Sequence, residues 1–314
     1  MQGPPEKEND MAHNRDKARR KRSYGWLMLF MVIGLALLSA SRAPAQTVPA
    51  GPQVEAFPPF KVIGNIYYVG DTNESVFLIT TPAGHILLDT GYAETVPIVK
   101  AGVEKLGFQM RDIKIMISGH AHSDHVAGHA LVKEMTGARV LASERDAPVI
   151  ESGGAKGDYR GPRANPWKPT KVDQIIKDGE RVTLGGVTLT AHLTPGHTQG
   201  NTTWTMVVED GVRKLNVAFM PSVGRNQGVH VFNYPNYPNI AEDFEKTFRV
   251  IKALPCDVFL GPHGNFFDLK GKFARMQAGA RENPFVDPSG CRQFVERGEA
   301  AFLKQLEEER LTRK

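Results

Sequence analysis

The chain has 314 residues, 41% of them hydrophobic, with 39 Lys/Arg against 34 Asp/Glu and two cysteines. Residues 1–45 hold eight of those basic and four of those acidic side chains, so the remainder balances 31 against 30. That near-neutral remainder argues against a nucleic-acid partner, which needs a clustered basic surface, and its roughly 270 residues suit one large α/β domain.

In chain order, a basic run at 19–22, an apolar stretch at 26–40 and a small-x-small site at Ala43, Pro44 and Ala45 read as a secretory signal peptide over residues 1–45. Fifteen apolar residues fall short of the roughly 20 that cross a bilayer. The expectation is a mature chain, 46–314, released to the periplasm as a monomer with no membrane attachment. A strand at 63–69 and a hairpin at 75–90 come next. A helix over 94–106 carries Val99, Val103 and Leu106 on one face and stops at Gly107. The strand 113–117 alternates Ile113, Ile115 and Ile117, and Gly119 lets the chain turn. A helix from His125 turns Val126, Ala130 and Met135 inward. Residues 152–169 are too rich in Gly and Pro for regular structure. Beyond them lie a hairpin at 182–189 with a Gly-Gly turn and a second at 202–219. Asn239 and Glu242 stand in capping-box spacing ahead of Ile240, Phe244, Thr247 and Ile251 on one helical face. A strand at 257–260 precedes a last helix from Arg292, with Val295, Phe302 and Leu306 inward.

The chemistry concentrates at 120–125, where His120, His122, Asp124 and His125 place four potential ligands in six residues. In extended chain, His120 and His122 point the same way and can share one ion. Asp124 and His125 follow as the chain tightens and can reach a second. Structural zinc usually recruits cysteine thiolates, and none lies nearby. His197, in Thr-Pro-Gly-His, and His263, in Gly-Pro-His-Gly, each sit where a strand meets a turn, the place where ligands gather on α/β scaffolds. The remaining candidates, His85, His129, His192 and His230, read as surface or packing residues.

The pattern His120-x-His122-x-Asp124-His125, with His197 and His263 in order downstream, resembles the metallo-β-lactamase superfamily. The segment 77–91 is similar to that family's N-terminal hairpin. The likeness runs from about residue 59 to the C-terminus. It implies a four-layer αββα sandwich, two central mixed sheets flanked by helices, where periodicity alone says only α/β. It implies two Zn2+ ions, one on His120, His122 and His197 and the other on Asp124, His125 and His263. Many dinuclear members place an aspartate or cysteine after a strand between the last two histidine motifs. Here that strand, 215–219, leads to Ser222, and no Asp, Glu or Cys occurs from 211 to 241. This resembles β-lactamase subclass B3. The resemblance then implies hydrolysis of a small β-lactam by a metal-activated hydroxide, hence antibiotic resistance. Asp124 orients the nucleophile, Ser222 bonds the substrate carboxylate or a bound water, Arg225 by its position adds charge there, and Tyr159 or Trp167 packs on the substrate's side chain. Asp89 braces the metal loop, and Cys256 pairs with Cys291, as in some members. Two other readings stay open: a hydrolase of the same fold acting on a lactone or thioester, and a non-catalytic zinc-binding protein.

Overall fold

The computed structural model describes residues 52–312; the signal-peptide reading of 1–45 lies outside them. Sheet one runs β1 (Phe60–Ile63), β2 (Ile66–Tyr68), β3 (Phe77–Thr81), β4 (Gly84–Leu88), β5 (Ile113–Ile117), β6 (Arg139–Ser143) and β7 (Gln174–Ile176), in that spatial order. Its first four strands pair antiparallel and the rest parallel. The switch needs crossovers, and helix α1 (Val96–Lys105) bridges β4 and β5. A short helix α2 (Ser123–Val126) and α3 (His129–Thr136) bridge β5 and β6, and α4 (Ala147–Glu151) follows β6. Sheet two has the order β12 (Val258–Leu260), β11 (Arg213–Phe219), β10 (Thr202–Asp210), β9 (Val187–Leu193), β8 (Arg181–Leu184). Only β11 and β12 pair parallel. Helices α5 (Ile240–Ala253), α6 (Leu269–Gln277) and α7 (Pro288–Thr312) belong to this half.

The apolar strands bury both faces, as central strands in a layered fold must. In β3, Phe77 and Ile79 join the core between the sheets, while Leu78 joins the core under α1 and α3. In β4, Ile86 and Leu88 divide from Leu87 in the same way. Phe244, Phe248 and Phe302 stack between α5 and α7, centroids 5.2–6.4 Å apart. Each such ring is worth roughly 1.5–3 kcal/mol when fully buried. Two mixed sheets with helices outside make the expected αββα sandwich.

Local expectations changed in five places. Residues 63–69 form no single strand: the chain turns at Gly64 and Asn65, and β1 pairs back on β2. In β5, Ile115 and Ile117 share the inter-sheet core but Ile113 faces the helices, because the register with β4 shifts at His85 and Ile86. The helix expected from His125 is two helices, and Met135 points to solvent, 42% exposed. Asn239 makes no side-chain cap, so the capping box is absent. The last helix starts four residues early, at Pro288, and buries Cys291 as well as Val295, Phe302 and Leu306.

Candidate metal centre

Four strand ends converge on one edge of the sandwich. His120 and His122 leave β5, and His122 is the extended residue from which α2 starts. The amide of Thr202 donates to the Gly119 carbonyl at 2.8 Å and the Trp204 indole to the Ser118 carbonyl at 3.0 Å, so β10 holds the end of β5 from the opposite sheet. His197 lies in the β9–β10 connection, closed by Thr194 N–H to the Asn201 carbonyl at 2.8 Å. That connection needs glycine at 196, where φ is +137° and a Cβ would meet the Phe244 ring at 2.7 Å. His263 follows β12, and Ser222 follows β11; these strands are parallel neighbours, so both residues emerge side by side.

The structure gathers all six expected ligands into two groups of three. In each, the donor atoms lie within 4.8 Å of one another: His120, His122 and His197, then Asp124, His125 and His263. In the first, His122 Nδ1 is 3.1 Å from His120 Nε2 and 3.2 Å from His197 Nε2. Ligands at 2.0–2.1 Å in a tetrahedron stand roughly 3.3 Å apart, so the spacing fits one ion. In the second, Asp124 Oδ2 is 3.1 Å from His125 Nε2 and 3.6 Å from His263 Nε2. His125 Nε2 is fully buried and faces the Asp124 carboxylate, its fellow donor in the same group.

Electrostatics agree with ligation. Burial, with the neighbouring imidazoles, holds His120 and His122 well below the ordinary histidine range. Burial also lowers His197 and His263 to about 4. These four rings present neutral lone pairs near neutral pH. Burial acts to raise Asp124, but the imidazoles around it win and hold its carboxyl well below the ordinary range. Burial acts to lower His125, yet Asp124 and Asp89 outweigh it and push it up to about 10. A cation entering the second group must therefore displace a proton from His125. His197 Nδ1 faces the Gly224 carbonyl at 2.6 Å, which fixes the proton there and leaves Nε2 free to ligate.

Asp89 lies between the end of β5 and the second donor group. Its backbone is left-handed at φ 61°, rare for a non-glycine residue. One carboxylate oxygen accepts from Gly119 N at 3.0 Å and the other lies 3.3 Å from His125 Nδ1. His85 packs edge-on against Phe108, His129 bonds the Thr90 hydroxyl at 2.9 Å, His192 the Thr205 hydroxyl at 2.9 Å, and His230 lies 3.3 Å from Glu309. None of the four joins either donor group.

A groove of about 850 Å3 opens beside the centre, lined by His197, His263, Ser222, Arg225, Glu74 and Lys270 among others. Ser222 and Arg225 therefore face the space a substrate would fill, although Arg225 also donates to the Val229 carbonyl at 3.1 Å. Tyr159 and Trp167 do not, which corrects that expectation. Tyr159 is 7% exposed, its ring packs 4.9 Å from Tyr237, and its hydroxyl donates to the His197 carbonyl at 3.1 Å. Trp167 packs on the core beneath α1 and α4, and its amide donates to the Gly153 carbonyl at 2.9 Å. Both rings pin the 152–169 segment to its own domain.

Sequence reasoning missed three residues here. Arg160 bonds Asp158 Oδ2 at 2.7 Å and Asn226 Oδ1 at 2.8 Å, and its guanidinium touches the far nitrogen of His122. Asn226 donates to the His197 carbonyl at 2.6 Å. Asp146 is fully buried, and burial pushes its carboxyl up to about 7. All three lie in segments without periodicity or motif, so nothing local marks them.

Residues 69–211 match the model of the metallo-beta-lactamase superfamily. The fold and sequence are similar to the native FEZ-1 metallo-beta-lactamase from Legionella gormanii, at 41% identity over 83% of this chain and 99% of that one, TM-score 0.80. They are also similar to BJP-1, a subclass B3 metallo-beta-lactamase of Bradyrhizobium japonicum, at 38% identity over 83% and 98%, TM-score 0.77. Curated relatives matched by sequence include hydroxyacylglutathione hydrolases, among them those of Hyphomonas neptunium and Rhodopseudomonas palustris (strain HaA2). Each is 26% identical, over 38% and 59% of this chain, and the matches span only 40% and 60% of those relatives' own length. The chain belongs to the metallo-beta-lactamase superfamily of hydrolases, with a metal-binding histidine site and subclass B3 enzymes as its structural neighbours.

Proposed function

We propose that this protein is a zinc-dependent β-lactamase, exported to the periplasm and taking two zinc ions per chain. The observation that carries the substrate reading is Ser222. It stands after β11 at the mouth of the groove, and no carboxylate or thiolate from that connection joins either donor group. That donor set fits subclass B3 better than members that bridge their metals with an aspartate. The matches to hydroxyacylglutathione hydrolases favour a thioester as the second reading, on less than two thirds of those proteins' length.

His120, His122 and His197 would hold one ion, and Asp124, His125 and His263 the other. Bound zinc supplies Lewis acidity and brings the pKa of water toward neutrality. The chain's own groups do the rest. Neutral imidazoles in the first group leave the ion its full charge. The second oxygen of Asp124 accepts a hydrogen bond from the attacking water and sets its direction. Ser222 and Arg225 orient the carboxylate of the β-lactam at the groove mouth. The Cys256–Cys291 pair, Cα atoms 6.4 Å apart, has the spacing of a disulfide and fits an oxidising compartment.

The test is turnover by the purified full chain with zinc. Imipenem and a chromogenic cephalosporin are set against an acyl-homoserine lactone and a glutathione thioester, with chelation and Asp124→Asn as controls. Chelator-sensitive β-lactam hydrolysis, reduced about 100-fold or more in Asp124→Asn, is the expected result. Turnover of the thioester alone would transfer the same centre to the second reading. Two zinc ions bound with no turnover of any substrate would favour a non-catalytic role.

A further inference from the structure

The first donor group stands on two chain segments from different sheets: His120 and His122 leave β5, and His197 sits between β9 and β10. We propose that Asp146 is the positioning residue of this group, its buried carboxylate cross-linking the two segments that carry the three imidazoles. The proposal rests on reading His120, His122 and His197 as ligands of one ion. Asp146 Oδ2 accepts from the amide of Ala121, the residue between His120 and His122, at 2.9 Å. The same oxygen accepts from the hydroxyl of Thr198, the residue after His197, at 3.4 Å. The carboxylate thus grips both loops one residue away from their ligands.

The rest of its surroundings are built for that grip. A Cβ on Gly200 would lie 2.4 Å from the Asp146 carboxylate and 2.3 Å from Ser143 Oγ, so only glycine lets this loop close on them. Ser143 Oγ donates to the Gly200 carbonyl at 2.7 Å and accepts the Asp146 amide at 3.3 Å. Asp146 also occupies the residue before α4, where an aspartate ordinarily caps the helix N–H groups. It makes no such bond. No salt bridge reaches it among the described residues. A buried carboxylate that neither caps its helix nor pairs with a cation is costly, and its bonds go to the two ligand loops instead. Asp89 gives the matching arrangement on the other side, spanning Gly119 and the second-group ligand His125.

The experiment is cadmium-113 NMR on the full chain loaded with two equivalents of 113Cd2+, with affinities from competition against a chromophoric chelator. The all-imidazole group and the carboxylate-containing group should give separate resonances, the former identified by its loss in His197→Ala. Asp146→Ala should weaken cadmium at the all-imidazole group about 10–100-fold and shift or broaden its resonance, as loss of an outer hydrogen-bond partner does. The other group should stay within about threefold. Thr198→Val, which removes one of the bonds and leaves the carboxylate, should produce a smaller change in the same direction, and it decides the matter if Asp146→Ala does not fold. Equal weakening of both groups, or no change at either, would overturn the proposal, since a general scaffold role predicts the first and no role the second. Failure of the unmodified chain to bind cadmium at the all-imidazole group would instead refute the ligand reading itself and this proposal with it.

Discussion

At the scale of single residues, the two aromatics of the 152–169 segment show how composition can mislead. A Gly/Pro-rich stretch beside a groove invites the reading that its rings touch substrate. Tyr159 spends its hydroxyl on the His197 carbonyl and Trp167 its face on the core. Trp167→Ala should therefore lower stability by roughly 1–3 kcal/mol, the ring being only half buried. It should leave KM for bulky and small β-lactams within about twofold, read from urea unfolding and steady-state kinetics. A KM that rises selectively for bulky substrates would return Trp167 to the groove. Tyr159→Phe keeps the packing and loses two hydrogen bonds, one given to the His197 carbonyl and one taken from Asn226 Nδ2 at 2.9 Å. It should cost about 1–2 kcal/mol in the same urea assay, since Asn226 still holds the His197 carbonyl. The ligands were legible because four of the six fall in one hexapeptide and the other two end strands at Pro/Gly turns. Asp146, Arg160 and Asn226 were not, because the partners that tie them to the centre lie 25 to 67 residues away and no local pattern records such a meeting.

At the scale of elements, apolar periodicity located strands and helices and failed where tertiary contacts override it. The helix from His125 breaks at Ala127 and Gly128 because Gly128 sits against α1 and the 89–91 turn. A Cβ there would meet Val96 at 2.6 Å and the Thr90 carbonyl at 2.9 Å. The early start of α7 has an electrostatic cause. Asp287 accepts from Ser289 Oγ at 2.7 Å and Gly290 N at 2.9 Å, with Lys272 Nζ at 3.0 Å. Burial alone would raise its carboxyl, but these groups outweigh it and bring it to about 2 against an ordinary 3.8. Because the folded value is the lower one, the stabilisation is complete above pH 4 and disappears as pH falls toward 2. Asp287→Asn should cost roughly 1–2 kcal/mol at neutral pH, reduced by partial exposure. Its stability curve should be flatter than the unmodified chain's between pH 4 and 2, as measured by urea midpoints. Parallel curves would remove the cap from the account. The proposed Cys256–Cys291 disulfide would tie α7 to the approach of β12 across 35 residues. Closing such a loop is worth about 4 kcal/mol in the chain-entropy model. Reducing agent should lower the unfolding midpoint of the unmodified chain and leave that of Cys291→Ser unchanged.

At the scale of the whole molecule, the centre is a joint between two halves. Four candidate ligands come from the sheet-one half, and His197 and His263 come from the sheet-two half. The inter-sheet core is built apart from the donor groups: Phe77, Ile79, Ile115, Trp204, Val217 and Phe219 belong to one buried cluster that includes none of the six donors. Metal-free protein should therefore remain folded, with the joint loosened rather than the sandwich lost. Ions that bind only the folded chain add RT ln(1 + [L]/Kd), about 2.7 kcal/mol per site at a hundredfold excess over Kd. Zinc should then raise the urea midpoint in two increments as the two groups fill. The slope of the transition should stay the same, because the surface exposed on unfolding scarcely changes. Asp124→Asn should lose most of one increment and keep the other, since the first group contains no carboxylate. A single increment in both proteins would mean that one ion serves all six donors. An apo form that melts without cooperativity would mean that the metal joint, and not the core between the sheets, holds the halves together.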